Sequence, residues 1–183
     1  KIASSVITGI CASRISFQKI LVSPRNRNIA QKLKKKFRKV NIAKTNQEIV
    51  DKCDWVFLAV TPQVGEKILP KLNYRSSQTI VNFISTIGNS QLKKYVKVKA
   101  KIVRVLPLPP IALRKGPVPI CPPNKRVKMF FNHLGTAVEI SNEKLFTNFW
   151  CMTAMMAPYY EILNTLSKWL SKKGLKKIDT QKY

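Results

Sequence analysis

The chain is short of acid. Against 34 lysines and arginines stand only 8 aspartates and glutamates, a net charge of +26 over 183 residues. Histidine is nearly absent too: His133 is the single one, and no two of the four cysteines sit at CxxC spacing, so a metal site is hard to assemble. Cys11, Cys53, Cys121 and Cys151 lie far apart in apolar surroundings and read as buried free thiols, not a disulfide framework. No apolar run reaches the roughly 18 residues needed to cross a bilayer. The start, Lys1-Ile2-Ala3-Ser4-Ser5-Val6, carries no methionine, no long apolar core and no signal-cleavage pattern. The expectation is a cytoplasmic protein with no membrane partner.

The charge attracts polyanions in general. It is mostly lysine, however, and is spread along the chain. The one tight cluster, Lys34-Lys35-Lys36 with Arg38 and Lys39, falls at the end of a predicted helix, where cations oppose the helix dipole favourably. No RNA-binding signature, zinc finger or basic heptad accompanies it, so no specific nucleic-acid partner is expected. A hydrophobic content of 45% is that of a globular protein and argues against disorder.

The organising stretch is residues 46 to 63. A short amphipathic run (Ile49, Val50, Cys53) leads into the unbroken apolar Trp55-Val56-Phe57-Leu58-Ala59-Val60. That run is too short for a globular helix and has no polar alternation, so it predicts a strand buried on both faces, within a parallel sheet. It stops at Thr61-Pro62-Gln63, where proline cannot continue a ladder. Ligands of such sheets sit at the carboxyl ends of the strands, and Ala59 and Thr61 are small enough to let a flat cofactor approach the backbone.

The rest alternates in the same manner. Helices are expected over residues 2–12, 27–37 (a stripe of Ile29, Leu33 and Phe37), 64–72, 90–96 and 125–134. Strands are expected over 19–23, 40–43, 78–84, 101–105 and 137–140. This is an α/β pattern, a doubly wound parallel sheet with right-handed crossovers. The proline-rich residues 107–123 read as a stiff extended segment that cannot be helix. Gly135 is a candidate C′ cap. Ser141-Asn142 with Glu143 reads as a helix start, and one long apolar helix follows to about Lys173, which Pro158 should kink or break. Residues 1–140 and 141–183 are taken as two domains. The basic tail ends at Tyr183 in mid-pattern.

Several single residues are read as structural. His133 fits the surface or a cap, Asp51 and Asp54 fit caps and surface rather than paired catalytic carboxylates, and Ser141 with Glu143 fits helix-start chemistry. The stripe of Trp150, Met152, Met156, Tyr159 and Tyr160 fits core or a dimer interface.

Residues 46 to 63 resemble the NQ-x-VVD-x-SD-x-V-x-LAV-[KR]-PQ stretch of the pyrroline-5-carboxylate reductases. The similarity continues in order through Val22-Ser23-Pro24-Arg25-Asn26, Ser85-Thr86, Arg104-Val105-Leu106-Pro107, Leu134-Gly135-Thr136-Ala137-Val138 and Thr153-Ala154-Met155-Met156-Ala157-Pro158-Tyr159. The resemblance implies a Rossmann-type domain followed by an all-helical dimerisation domain. It implies hydride transfer from NAD(P)H to the C=N carbon of a cyclic imine, giving proline, in a homo-oligomer, with the cofactor supplying the chemistry. By motif, Ser23, Arg25 and Asn26 would meet the adenosine ribose and its 2′-phosphate, and an arginine with no acid beside it implies NADP, with NADPH preferred. Asn46 would touch the ribose side. Ala59, Val60, Thr61 and Pro62 would floor the nicotinamide half, with Ser85 and Thr86 at the next strand end. Pro107, Leu108, Met156 and Pro158 would lie on the substrate side. No general acid stands out, which suits imine reduction, where alignment of hydride and acceptor matters most.

The departures bear on function. Lys1-Ile2-Ala3 corresponds to the end of a G-x-G-x-[IL]-A pattern, so the first strand and glycine-rich loop are missing and the chain reads as an internal piece of a longer protein. The lysine of LAVKPQ is Thr61, the asparagine of the MPN turn is Leu108, and GSGPA has become Met155-Met156-Ala157-Pro158, a softer and more apolar wall. These changes leave a second reading open, a non-catalytic or altered-substrate NADP-binding paralogue.

Overall fold

The computed structural model describes residues 2–180; Lys1 and residues 181–183 lie outside it, as do the side chains of Trp150 and Lys177. The readings of Lys1, Tyr183 and the Trp150 side chain given above therefore fall outside the described residues. The chain forms two compact units, Lys1–Glu143 and Lys144–Tyr183.

The first unit alternates helix and strand. Helix α1 (Ile2–Ala12) leads to β1 (Ile20–Val22), α2 (Arg27–Lys36), β2 (Val40–Ile42), α3 (Asn46–Lys52), β3 (Trp55–Leu58) and α4 (Pro62–Ile68). Then come β4 (Thr79–Asn82), α5 (Asn89–Val96), β5 (Lys101–Val105), a 3-10 turn at Pro109–Leu113, β6 (Pro117–Cys121), α6 (Lys125–Asn132) and β7 (Thr136–Glu139). Side-chain caps start three of the helices: Asn26, Thr45 and Asn124 accept from the amides of Ile29, Glu48 and Val127. At α3 Glu48 also accepts from the amide of Lys44, one residue ahead of the cap, at 2.6 Å.

Strands β3, β4 and β5 pair in parallel, Trp55 beside Thr79 and Thr79 beside Lys101. All four residues of β4 are buried, as a strand covered on both faces must be. Its alternate residues feed two cores: Val81 joins Val6, Val103, Val105 and Phe131, and Ile80 joins Val56, Leu69, Leu92 and Ile102. The fold is the α/β, Rossmann-like one expected.

Helix α1 packs closely. A Cβ placed on Gly9 would collide with the carbonyl oxygen of Ile111 in the 3-10 turn. Alanine is the better helix former by about 1 kcal/mol, but backbone cannot yield as a side-chain tip can. Gly9→Ala is therefore expected to be destabilising, by about 1 kcal/mol or more in net; a raised urea midpoint would contradict this packing.

The sheet is divided. Strands β1 and β2 form their own parallel pair, and β3 to β7 form a second sheet. Between β1 and β3 lies a cleft of about 750 Å³, lined by Ile10 of α1, Leu21 of β1, Trp55 and Phe57 of β3, and Phe130 of α6, among others. This corrects the expectation that β3 is buried on both faces: Val56 and Leu58 are buried, but Trp55 and Phe57 face the cleft and are only half covered. The division falls where the resemblance places its first strand.

Other expectations are corrected too. The proline-rich stretch is not merely extended: it holds a 3-10 turn and β6, which pairs antiparallel to β5 and parallel to β7. Pro117 and Pro119 fall on alternate residues, so their missing donors share one side of the strand. The Pro119 carbonyl accepts from Leu106 on the β5 side, so that is the impaired side. It explains why β6 pairs with β5 over Arg104–Cys121 and Val105–Ile120 but with β7 from Pro117 to Ile120.

Gly135 is not a left-handed cap. Helix α6 closes at His133, and Gly135 is needed because a Cβ there would sit 2.5 Å from the Gly116 carbonyl oxygen. On α2 the buried residues are Ala30 and Leu33, while Ile29 is exposed. Cys121 is buried, Cys11 and Cys53 are half-buried, and Cys151 is exposed, so not every thiol is hidden.

In the second unit the expected long helix is two, α7 (Glu143–Ala154, beginning at the end of the first unit) and α8 (Met156–Lys172), followed by a turn of helix, α9 (Lys177–Thr180). The break comes ahead of Pro158. Proline sits in the first turn of α8, where amide donors need no partner; one turn back, the Ala154 carbonyl loses its donor, and the first helix ends there. Among the described residues no helix is long and apolar enough to cross a membrane.

Candidate active site

Each expected site residue of the first unit falls just past the carboxyl end of a strand. Ser23 to Asn26 follow β1, Asn46 opens α3 after β2, Ala59 to Pro62 follow β3, Ser85 and Thr86 follow β4, and Pro107 and Leu108 follow β5.

Ser23 and Asn46 are brought together. The Ser23 hydroxyl donates to Asn46 Oδ1 at 2.8 Å and accepts from the Arg25 amide at 3.3 Å. That bond ties the turn after β1 to the first residue of α3. Asn46 is half-buried there, and Arg25 sits on an exposed turn. Asn26 is positioned otherwise than a ligand-binding amide would be: its Oδ1 accepts the Ile29 amide at 3.1 Å and serves as the N-cap of α2.

Ser23, Ala59 and Val60 share the wall of the cleft between β1 and β3. Ala59 and Thr61 are exposed, and Pro62 is the first residue of α4, where a proline fits. The cleft floor is aromatic. Trp55 lies 4.9 Å from Phe130 between ring centroids, and the Arg126 guanidinium rests over Trp55 at 5.2 Å. His133 reaches the rim of the cleft, yet it is exposed and caps α6, as the sequence suggested.

Ser85 and Thr86 do not line this cleft. They form a separate turn after β4, with Ser85 half-buried and Thr86 exposed. Pro107 is buried and Leu108 half-buried at the start of the 3-10 turn. Met156 and Pro158 belong to α8 in the second unit. Burial raises the Cys53 thiol above its ordinary value, and its neighbours Lys19 and Arg75 only partly offset this, so a nucleophilic role for Cys53 at the cleft wall has no support.

Two residues escaped sequence reasoning. Asn82 at the end of β4 and Glu143 at the head of α7 both bond to the loop that carries Ser85. A buried asparagine at a strand end is the only local signal for the first; nothing in the sequence linked Glu143 to a loop 54 residues away.

The family model described as "NADP oxidoreductase coenzyme F420-dependent" matches residues 1–87. A pyrroline-5-carboxylate reductase from Corynebacterium melassecola is 24% identical over 121 residues, covering 63% of this chain and 44% of that protein. The chain thus matches less than half the length of that curated relative. Among solved structures, the Plasmodium falciparum pyrroline carboxylate reductase with NADP bound superposes with a TM-score of 0.82 at 21% identity, over 99% of this chain and 70% of that one. The 1-pyrroline-5-carboxylate reductase of Streptococcus pyogenes gives 0.81 at 22% identity, over 98% and 70%. The chain is similar in sequence to a pyrroline-5-carboxylate reductase and has the fold of that family's solved structures.

Proposed function

We propose that the protein binds NADPH along the carboxyl ends of β1 to β4 and delivers hydride to the C=N carbon of a cyclic imine, 1-pyrroline-5-carboxylate first among them, to give proline. The observation that carries this reading is the Ser23–Asn46 bond beside an exposed Arg25, past the carboxyl end of β1. Where a free ribose diol would call for a carboxylate, the turn after β1 offers Ser-Pro-Arg-Asn-Arg. That donor set fits a 2′-phosphate.

In this reading Ser23 and Asn46 hold the ribose, Arg25 holds the 2′-phosphate, and Asn26 acts only through its amide nitrogen and the α2 cap. Ala59 and Thr61 leave the backbone open to the nicotinamide half, and Ser85 and Thr86 flank it from β4. When bound, NADPH supplies the hydride. The protein supplies alignment, and Pro107 and Leu108 shape the imine side from the end of β5. Ser23→Ala removes one hydrogen bond of about 1 kcal/mol and is expected to raise the NADPH Kd about fivefold. An unchanged Kd in a fluorescence titration would remove Ser23 from the site.

A specific observation favours a second reading, an altered substrate or a non-catalytic nucleotide binder. Leu108 stands where the family's turn has asparagine, and Met155-Met156 replace small residues with bulky, adaptable ones. Turnover of a panel of cyclic imines of increasing bulk tests this. Oxidation of NADPH by pyrroline-5-carboxylate supports the first reading, oxidation by bulkier imines alone supports the altered substrate, and binding without oxidation by any supports the binder.

The partner in assembly is proposed to be a second copy of the chain. Met152, Tyr159, Ile162, Leu166 and Trp169 are exposed on α7 and α8, more apolar surface than a lone helical unit leaves to water. Light scattering behind a sizing column is expected to give a dimer or larger; a monomer at micromolar concentration would refute it.

A further inference from the structure

The loop between β4 and α5 is held from several directions by buried polar groups. Asn82, wholly buried at the end of β4, accepts from the Ile84 amide at 2.9 Å and donates to the Ile87 carbonyl at 2.7 Å. Arg104 is its register partner on β5. The Arg104 guanidinium donates to the Ser85 carbonyl and pairs with Glu143 Oε1 at 3.3 Å, with 7% of its side chain exposed against 33% for Glu143. Glu143 Oε1 also accepts from the Asn89 amide at 2.8 Å, where α5 begins. The carboxylate lies over Gly88, so closely that a Cβ there would meet its oxygens at 3.2 and 3.3 Å.

Burying an arginine is costly, and an apolar pair of similar volume is often as stable or more so. Stability alone does not account for this pair. What a guanidinium adds is a planar fork whose donors hold a carboxylate and a backbone carbonyl at fixed angles, where a lysine's rotating ammonium sets no such geometry. The carbonyl it holds belongs to Ser85.

We propose that Arg104 and Glu143 are positioning residues that fix the Ser85–Thr86 loop for the nicotinamide half of the dinucleotide. The proposal rests on the NADPH reading above. Neither side chain needs to touch the ligand. Arg104 sets the Ser85 carbonyl, Glu143 sets the Asn89 amide and closes over Gly88, and Asn82 pins the loop from within. The loop is presented in one conformation before the dinucleotide arrives, which lowers the ordering cost of binding.

The test compares Arg104→Lys, Glu143→Gln and the apolar double replacement Arg104→Met with Glu143→Leu, by amide hydrogen exchange without ligand and by NADPH titration. Arg104→Lys is expected to speed exchange of the 84–89 amides about tenfold or more and to weaken NADPH about as much. Glu143→Gln, which keeps an acceptor in place, is expected to do less. The double variant decides between positioning and mere stability: it is expected to regain a urea midpoint near wild type yet keep the fast loop and weak binding. Wild-type loop exchange and NADPH affinity in the double variant would overturn the proposal. If the wild-type protein binds no NADPH, the dinucleotide part falls with the site reading, and loop exchange separately decides whether the pair fixes the loop.

Discussion

Arg25→Ala is expected to bind NADPH about tenfold more weakly or worse, with NADH affinity unchanged. A charge-assisted hydrogen bond contributes roughly 1.5–3 kcal/mol, and a guanidinium meets a phosphate with two. Arg25 is exposed on the turn whose backbone the Ser23 hydroxyl holds, so its loss removes a ligand contact without opening the core. The control lies in the second nucleotide. NADH carries a 2′-hydroxyl, which gains nothing from Arg25, so a parallel loss of both affinities would mean that the substitution had disturbed the turn. Arg25→Lys is expected to recover only part of the NADPH affinity, because an ammonium keeps the charge but not the fork.

Phe131→Ala is expected to cost about 3–5 kcal/mol, enough to unfold a marginal domain. Phe131 is 0% exposed and packs with α1, β4, β5 and β6 in one core. Its ring stands edge-on to Phe83 at 6.3 Å, and Phe83 is the residue through which β4 passes into the Ser85 loop. The neighbouring Phe130 has the same chemistry in a different setting. Its ring faces the cleft and is only half-buried, so Phe130→Ala is expected to cost roughly 1–2 kcal/mol, for less area withdrawn from water. Chemical unfolding of the two variants side by side checks the difference. Equal losses would mean that the cleft wall is packed as tightly as the core.

The sequence announced most of the α/β alternation because burial and breakers coincide there. Trp55-Val56-Phe57-Leu58 had to be a strand, and Pro62 had to follow its end; the structure begins α4 on that proline. Asn26 and Thr45 start α2 and α3 with side-chain caps. Strand β6 was hidden by its prolines, since a strand with donors missing on one side looks like a loop until its neighbours are known. Gly135 was visible as a special position but for the wrong reason, as its close approach to Gly116 is a tertiary fact with no local trace. The helix break at Met155 was foreseen at Pro158; the missing donor acts one turn upstream.

The site divides in the same way. Ser23 and Asn46 were named separately and the fold joins them at 2.8 Å. Asn26 was named as a ligand contact, and its oxygen is spent on the cap of α2. The brace from Arg104 and Glu143 could not be read in advance, because its partners are far apart in the chain and meet only when β5 and the head of α7 are in place.

The most direct measurement follows absorbance at the nicotinamide band of NADPH, with the protein in excess of trace imine contamination, on addition of 1-pyrroline-5-carboxylate. Loss of NADPH absorbance matched by formation of proline is expected, slower by about tenfold or more in Arg25→Ala at subsaturating NADPH. NADPH that binds and is never oxidised, by this imine or by bulkier ones, would contradict the reductase and leave a nucleotide-binding relative in its place.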